Sequence, residues 1–396
     1  MGALRRVLRG TSLLVAVLDL LFWLVLGLDW FRGVRKIAAL RNVEDEPVPG
    51  TYPALSVIVP ARDEERGVGE SVRSMLAQDY PGPLEVVVVD DRSTDRTGEI
   101  LDSLKREYPG LLSVLHVTRL PDGWLGKNHA LALGFAETRG EWLLFTDADV
   151  RLAPECVRKA VEYATENGLD HLTLAPEILS SGALLGGFVA TFELIFVSVG
   201  RPWRAKDPQA KEHVGVGAFN LVRREAYVAA GTHHAIRMRP DDDMKLAKLL
   251  KREGFKQDVA SGAGLVRVEW HQSVRGALRG LSKSIFPVVD YRLDQAALAT
   301  FALPLTNVFP FVGFLLTRGA TRAFCGLNVA LILLIYAYQE RYKGVGAALL
   351  HGALHPLSVS LFVYAILRST CTILVNGGIE WCGTRYPLEQ LKENVV

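Results

Sequence analysis

The sequence predicts an α/β domain with a mostly parallel sheet, joined to one membrane-spanning helix on its N-terminal side and several on its C-terminal side. Two observations lead there. Long apolar runs cluster towards the two ends of the 396-residue chain, and short β-branched runs alternate with amphipathic stretches between them. A third observation points to chemistry: two of the short runs stop at acids, Asp90-Asp91 and Asp147-Ala148-Asp149. In an open α/β sheet ligands gather beyond the carboxyl ends of the strands, so acids placed there can hold a divalent cation against a phosphate.

The first apolar run, Leu13 to Phe31, is interrupted only by Asp19 and Asp29. Its length matches a bilayer core of about 30 Å, which predicts a retained helix. A cleaved signal peptide is the competing reading, since Arg5, Arg6 and Arg9 precede the run, but the run is long and no small-residue cleavage site follows. Runs near 296–316, 323–339 and 352–374 predict three further spans or half-spans. Leu184 to Val199 contains Glu193 and is short for a span, so it reads as a core or interfacial helix. Arg32, Arg35, Lys36 and Arg41 balance the basic residues before the first run, and charge alone leaves the orientation open. The expected divisions are an anchor and linker over 1–49, the α/β domain over 50–290 and a membrane region over 291–396, with the linker marked by Glu46-Pro47-Val48-Pro49-Gly50.

A formal net charge of +2 argues against nucleic-acid binding through a strongly basic surface. Cys156, Cys325, Cys371 and Cys382 show neither C-x-x-C pairing nor zinc-like spacing, which argues against a disulfide framework or a zinc site.

Within the central domain, Ser56 to Pro60 and Glu85 to Val89 read as buried strands, with a helix over Gly67 to Gln78 between them. A helix over Ile100 to Tyr108 and strands near Leu112 to Val117 and Trp142 to Thr146 continue the series. Aspartate is a poor strand residue. The competing explanation for each is helix capping, favoured for Asp95. For Asp90, Asp91, Asp147 and Asp149 ligand or metal contact is favoured, because acids recur at two strand ends. Asp241-Asp242-Asp243 precedes an amphipathic helix carrying Leu246, Leu249 and Leu250; one acid would suffice to cap it, so another is available as a general base.

Two cationic features join the set. Gly123-Trp124-Leu125-Gly126-Lys127-Asn128 places a lysine at a helix start, which suits phosphate, although it lacks the Walker spacing. Trp270 to Arg279 reads as an interfacial amphipathic helix, compatible with Arg275 reaching a diphosphate. His233 and His234 either line a pocket or pack in the core.

Taken together, Pro60-Ala61-Arg62-Asp63-Glu64-Glu65, Asp90 to Asp95, Thr146 to Asp149 and Asp242-Asp243 resemble, in order, the motifs of family 2 glycosyltransferases of the GT-A fold, a Rossmann-like architecture. Gly123 to Lys127, Gly217-Ala218-Phe219, Ala230 to Ile236 and the apolar C-terminal region are most similar to membrane-bound bacterial enzymes of hopanoid and carotenoid pathways. The resemblance covers about residues 54–290. It implies that Pro60, Ala61, Arg62, Glu64, Asp90 and Asp91 hold the base and ribose of a nucleotide sugar, with a UDP-sugar the expected donor. It further implies that Asp149, with Asp147, binds Mg²⁺ or Mn²⁺, and that Asp243 beside Asp242 is the general base of an inverting transfer. Polysaccharide-elongating members carry Gln-X-X-Arg-Trp, whereas Gln272-Ser273-Val274-Arg275 is followed here by Gly276. Single-sugar transfer to a polyprenyl, hopanoid, carotenoid or glycolipid acceptor is therefore expected, at the inner membrane with the catalytic domain cytoplasmic. A nucleotidyl or phosphosugar transferase is the alternative enzyme class, and an inactive membrane scaffold the non-enzymatic one.

Overall fold

The computed structural model describes residues 2–44, 51–394 and 396, with side chains from Arg9 onward. The linker expected at 46–50 and the side chains of Arg5 and Arg6 lie outside the described residues. In chain order the elements are α1 (Gly2–Val34), β1 (Leu55–Ala61), α2 (Val68–Leu76), β2 (Leu84–Asp91), α3 (Thr97–Glu107), β3 (Leu112–Val117) and α4 (Gly126–Ala136). There follow β4 (Trp142–Phe145), β5 (Val150–Leu152), α5 (Cys156–Glu166), β6 (His171–Ala175), β7 (Glu177–Ile178), α6 (Ala183–Gly200), β8 (Asn220–Arg223) and α7 (Arg224–Ala229). The chain continues through α8 (Asp242–Arg252), β9 (Gln257–Ser261), β10 (Val266–Val268), α9 (Val274–Val288), α10 (Leu293–Asn307), α11 (Phe309–Leu316), α12 (Ala320–Gln339) and α13 (Val345–Val375). A hairpin of β11 (Gly378–Trp381) and β12 (Thr384–Pro387), then α14 (Leu388–Glu393), completes it.

These elements form two compact units, each assembled from separated stretches of chain. The sheet-bearing unit comprises Lys36–Leu179, Pro202–Trp270 and the stretch from Glu380 on. Its main sheet has the order β3-β2-β1-β4-β8-β6-β9, parallel except for β8, and a small sheet has the order β5-β10-β7. β1 is buried on both faces, as a central parallel strand requires. Val57 and Val59 face a core shared with Val68, Val72 and Met75 of α2 and Val157 and Val161 of α5. Ile58 points the other way, among Leu131 of α4, Tyr227 of α7 and Leu246 and Leu250 of α8. The period-two alternation of one strand thus builds both layers.

The registers align the strand ends. Ala61 of β1 lies opposite Asp90 of β2, and Asp90 opposite His116 of β3. β8 runs against its neighbours, so its first residue, Asn220, pairs with the last of β4, Phe145. Reversal therefore delivers the Gly215–Phe219 segment to the carboxyl edge of the sheet, beside the acids that follow β4. The Asp147 amide donates to the Gly217 carbonyl at 3.0 Å, and the Thr146 hydroxyl to the Ala218 carbonyl at 2.8 Å.

The second unit comprises the residues up to Arg35, Ser180–Arg201 and His271–Ile379. Among the described residues, five helical stretches are long and apolar enough to cross a membrane: Arg9–Val34, Ala183–Arg204, Leu293–Leu316, Ala320–Gln339 and Val345–Val375. The stretch from Ala183 differs from the core or interfacial helix expected there. The helix and the turn after it reach 22 residues, and α6 groups with the other long apolar helices. Glu193, which made the segment look unsuited to a span, faces inward and takes a hydrogen bond from Gln339 of α12. Within this unit leucines at 14, 18, 21, 24 and 28 of α1 are exposed, while polar side chains pair inside. The Tyr336 hydroxyl bonds Thr191 at 2.6 Å and His355 at 2.9 Å, and His355 bonds Asn307 at 3.0 Å. Apolar outside and hydrogen-bonded inside is the pattern that lipid imposes.

Candidate active site

The acids after β4 and before α8 meet at a lysine. Gly126 opens α4 and places Lys127 in its first turn, where the ammonium lies 2.9 Å from Asp147 and 3.2 Å from Asp242. Asp147 belongs to the loop fixed by Gly217, and Asp242 to the first turn of α8. Burial alone would lower the Lys127 pKa, but Asp147, Asp242 and Asp243 outweigh it and hold the ammonium well above its ordinary value. A cleft here is lined by Pro60, Lys127, Leu131, Phe145, Thr146, Asp147, Gly217, Asn220, His233, Asp242 and Asp243.

The three consecutive aspartates divide their work. Asp241 forms a paired hydrogen bond with the buried Arg239, at 2.9 and 3.0 Å, and is structural. Asp242 faces Lys127; burial, opposed by Lys127 and reinforced by Asp243 and Asp147, raises its pKa to about 7. Asp243 accepts from the Gly217 amide at 2.8 Å through one oxygen and from the Met244 amide at 2.8 Å through the other. Burial raises its pKa too, against the opposing Lys127 charge. The loop before these acids is held by Asn128, whose amide donates to the carbonyls of Ile236 at 2.7 Å and Arg239 at 2.9 Å.

A second group of carboxylates has too little positive charge around it. Burial raises the Asp149 pKa to about 6, with Asp147 adding to the effect and Lys127 only partly opposing it. Burial likewise lifts Glu64, after β1, to about 7, and Asp149 and Asp147 are the next contributors. Mutual repulsion between Glu64, Asp147 and Asp149 is what a divalent cation would relieve, and oxygen ligands suit Mg²⁺ or Mn²⁺. Among the described residues no three acidic, histidine or cysteine side chains already converge as a finished cage.

A third group surrounds the end of β2. Asp90 accepts from the Ser93 amide at 3.2 Å and pairs with His116 at 2.9 Å. That hydrogen bond raises the His116 pKa. Asp91 is gripped by Arg92 at 2.7 and 3.0 Å, with Arg62 3.6 Å away. A side chain at Gly126 would collide with the Asp91 carboxylate, so the glycine lets the start of α4 approach this acid. Asp95 accepts from the Thr97 amide at 2.9 Å, at the start of α3, and from the Glu65 amide at 3.1 Å.

Of the expected residues, Pro60, Lys127, Asp147, Asp242 and Asp243 share the cleft, Ala61 stands opposite Asp90, and Arg62 and Asp91 pair. Arg275 is exposed on α9, in the unit of long apolar helices. His233 is packed: its ring nitrogen bonds the Tyr227 hydroxyl at 2.7 Å and burial lowers its pKa to about 3. His234 is exposed, with its ring 4.7 Å from that of Trp124. Sequence reasoning missed His116 and Asn128. His116 had a usable signal, since it stands one residue before the end of a strand whose neighbour ends in acids.

A mostly parallel sheet with helices on both faces, acids along its carboxyl edge and a reversed strand beside them defines a GT-A fold. Residues 56–228 match the model of the Glycosyl transferase family 2. This segment is a family 2 glycosyltransferase domain, and the chain resembles carotenoid-associated glycosyltransferases. It is 25% identical over 348 residues to the 4,4'-diaponeurosporenoate glycosyltransferase of Staphylococcus aureus strain USA300, covering 86% of this chain and 90% of that protein. The protein of that name from strain MRSA252 is 24% identical over the same shares. A solved mannosyltransferase from Pyrobaculum calidifontis, PcManGT in complex with GDP-Man and Mn²⁺, superimposes with a TM-score of 0.54. It is 20% identical, and the match covers 87% of this chain and 99% of that one, a likeness of fold.

Proposed function

We propose that this glycosyltransferase moves a single sugar from a nucleotide-sugar donor to a lipid in the membrane, with inversion at the anomeric carbon and with Mg²⁺ or Mn²⁺. The observation that carries the reading is the meeting of Asp147 and Asp242 at Lys127, with Asp243 in the same cleft and burial raising the pKa of Glu64 and Asp149. Pro60, Ala61, Arg62 and Glu64 with Asp90 and Asp91 would bind base and ribose, and Lys127 the diphosphate. Asp149, with Asp147, would hold the ion. The ion would supply positive charge to the departing diphosphate. The Mn²⁺ and GDP-Man of the Pyrobaculum enzyme support a metal and a nucleotide sugar in this fold.

Asp243 is the assigned base. Its two amide hydrogen bonds orient the carboxylate and leave lone pairs for the acceptor proton. As Asp243 takes that proton, the acceptor oxygen bonds the anomeric carbon from one face. The bond to the diphosphate breaks on the other, and nucleoside diphosphate leaves. Fixed alignment of the reacting groups removes much of the entropic barrier.

A lipid acceptor is supported by the long apolar helices on the same chain, and a carotenoid-like one by the name of the Staphylococcus relative. Because nucleotide sugars are cytosolic, the reading puts the sheet-bearing, catalytic unit on the cytoplasmic side of the inner membrane. Membranes containing the full chain, given radiolabelled UDP- and GDP-sugars, should transfer label into a lipid extract. EDTA should stop the transfer and Mn²⁺ restore it. Release of pyrophosphate in place of nucleoside diphosphate, or no lipid labelling across the donor panel, would overturn the proposal.

A further inference from the structure

The stretch from Glu380 on belongs to the catalytic unit, far in sequence from the rest of it. It packs as an integral part: Tyr386 is 5% exposed and Leu391 fully buried. The Asn394 side chain accepts from the Met238 amide at 3.0 Å and donates to the Ala235 carbonyl at 3.0 Å, in the loop that leads to Asp241–Asp243. At its other end the stretch touches the group around Asp91. Cys382 and Gly383 both have positive φ, 48° and 72°, as a tight two-residue hairpin turn requires. This turn presents the Cys382 carbonyl to Arg62, which donates to it at 2.7 Å. Thr384 accepts from Arg92 at 3.5 Å, the Tyr386 hydroxyl accepts from the Gly126 amide at 3.3 Å, and a terminal Arg92 nitrogen lies 2.9 Å from where a Cβ on Gly126 would sit, so both side chains close on the start of α4.

Arg92 has a reason to need such partners. Its φ is +58°, a left-handed conformation that is unfavourable for a non-glycine residue and persists where surrounding contacts over-determine it. Asp91 supplies one constraint through the paired hydrogen bond. Thr384 and Tyr386 supply the other from outside the sheet.

We infer that the C-terminal hairpin completes the donor site, and that Tyr386 is a positioning residue that holds Arg92 and the start of α4 around Asp91 for the nucleotide. The inference rests on the assignment of Asp91 and its surroundings to the donor. A nucleotide entering here meets a carboxylate whose angle is set by Arg92, and the Tyr386 hydroxyl fixes Arg92 in turn. Loss of that hydroxyl frees Arg92 to rotate, which weakens donor binding while leaving Asp243 and its amide bonds in place.

The test uses the full-length chain in detergent, with UDP and GDP plus Mn²⁺ as calorimetric probes and lipid transfer as the kinetic assay. Tyr386→Phe should raise donor KM and nucleotide Kd about five- to tenfold, the range expected on losing one buried hydrogen bond. It should leave kcat within about twofold and the melting temperature nearly unchanged. Arg92→Ala should weaken binding similarly, and Tyr386→Phe should add nothing to it, because one acts through the other. Unchanged KM in Tyr386→Phe, or additive effects in the double variant, would overturn the inference. If the unsubstituted chain binds neither nucleotide, the donor-site assignment itself fails, a result distinct from binding that is indifferent to Tyr386.

Discussion

The Gly217 amide donates to the Asp243 carboxylate at 2.8 Å, so the segment entering the reversed strand β8 orients an acid at the start of α8. Together with the Met244 amide, it fixes the plane of the carboxylate. Asp243→Asn keeps the size of the side chain and removes the basicity. General-base catalysis contributes about 10²- to 10⁴-fold, so transfer should fall by that factor with donor KM little altered. A steady-state assay of lipid labelling decides it, and a variant with the original kcat would remove Asp243 from the role of base.

Lys127 governs the protonation of the acids around it. Its ammonium lowers the pKa of both Asp242 and Asp243, against the burial that raises them. Lys127→Met should therefore move both further up, so that the base stays protonated to higher pH. The acid limb of the kcat profile should shift to higher pH, by about one unit if the lost attraction is of order 1 kcal/mol. An acid limb that stays in place would show that Lys127 does not set the ionisation of the base.

Much of this organisation was legible in the sequence because it rests on periodicity and on residues that are poor at their positions. β1, β2 and β4 announce themselves as buried runs that end in acids or at a proline, and aspartate at a strand end needs a reason. The division of labour within Asp241-Asp242-Asp243 was not legible, since it depends on Arg239 and Lys127 arriving from either side. The reversal of β8 was hidden for a similar reason: a short buried strand has the same pattern in both directions. The tie from Tyr386 to Gly126 spans 260 residues, and nothing local in either segment encodes it.

Gly217 is sensitive to substitution for a steric reason. A Cβ there would sit 2.6 Å from an Asp147 oxygen and 3.4 Å from the Lys127 nitrogen. Gly217→Ala must push Asp147 aside, which weakens its pairing with Lys127 and displaces one of the two assigned metal ligands. The concentration of Mn²⁺ needed for half-maximal transfer should rise about tenfold, in line with the cost of disturbing a ligand's supports. If the metal requirement is unaltered while transfer persists, Asp147 does not hold the ion.

His171 makes the catalytic unit sensitive to acid. It is fully buried, with its ring nitrogen against Asn220, and burial lowers its pKa to about 4 despite that hydrogen bond. In the unfolded chain the value returns to about 6.5. Above that pH both states are neutral and the full contribution to stability is present. As pH falls below it the unfolded chain takes a proton that the native state refuses, and stability is lost progressively until about pH 4. An interval of about 2.5 pH units corresponds to about 3 kcal/mol, an upper figure for a single site. Denaturant titrations of the purified full chain between pH 7 and 4.5 should show this loss, and His171→Gln should flatten the slope even where it lowers stability at pH 7. Equal slopes for the two chains would mean that His171 takes up its proton without unfolding.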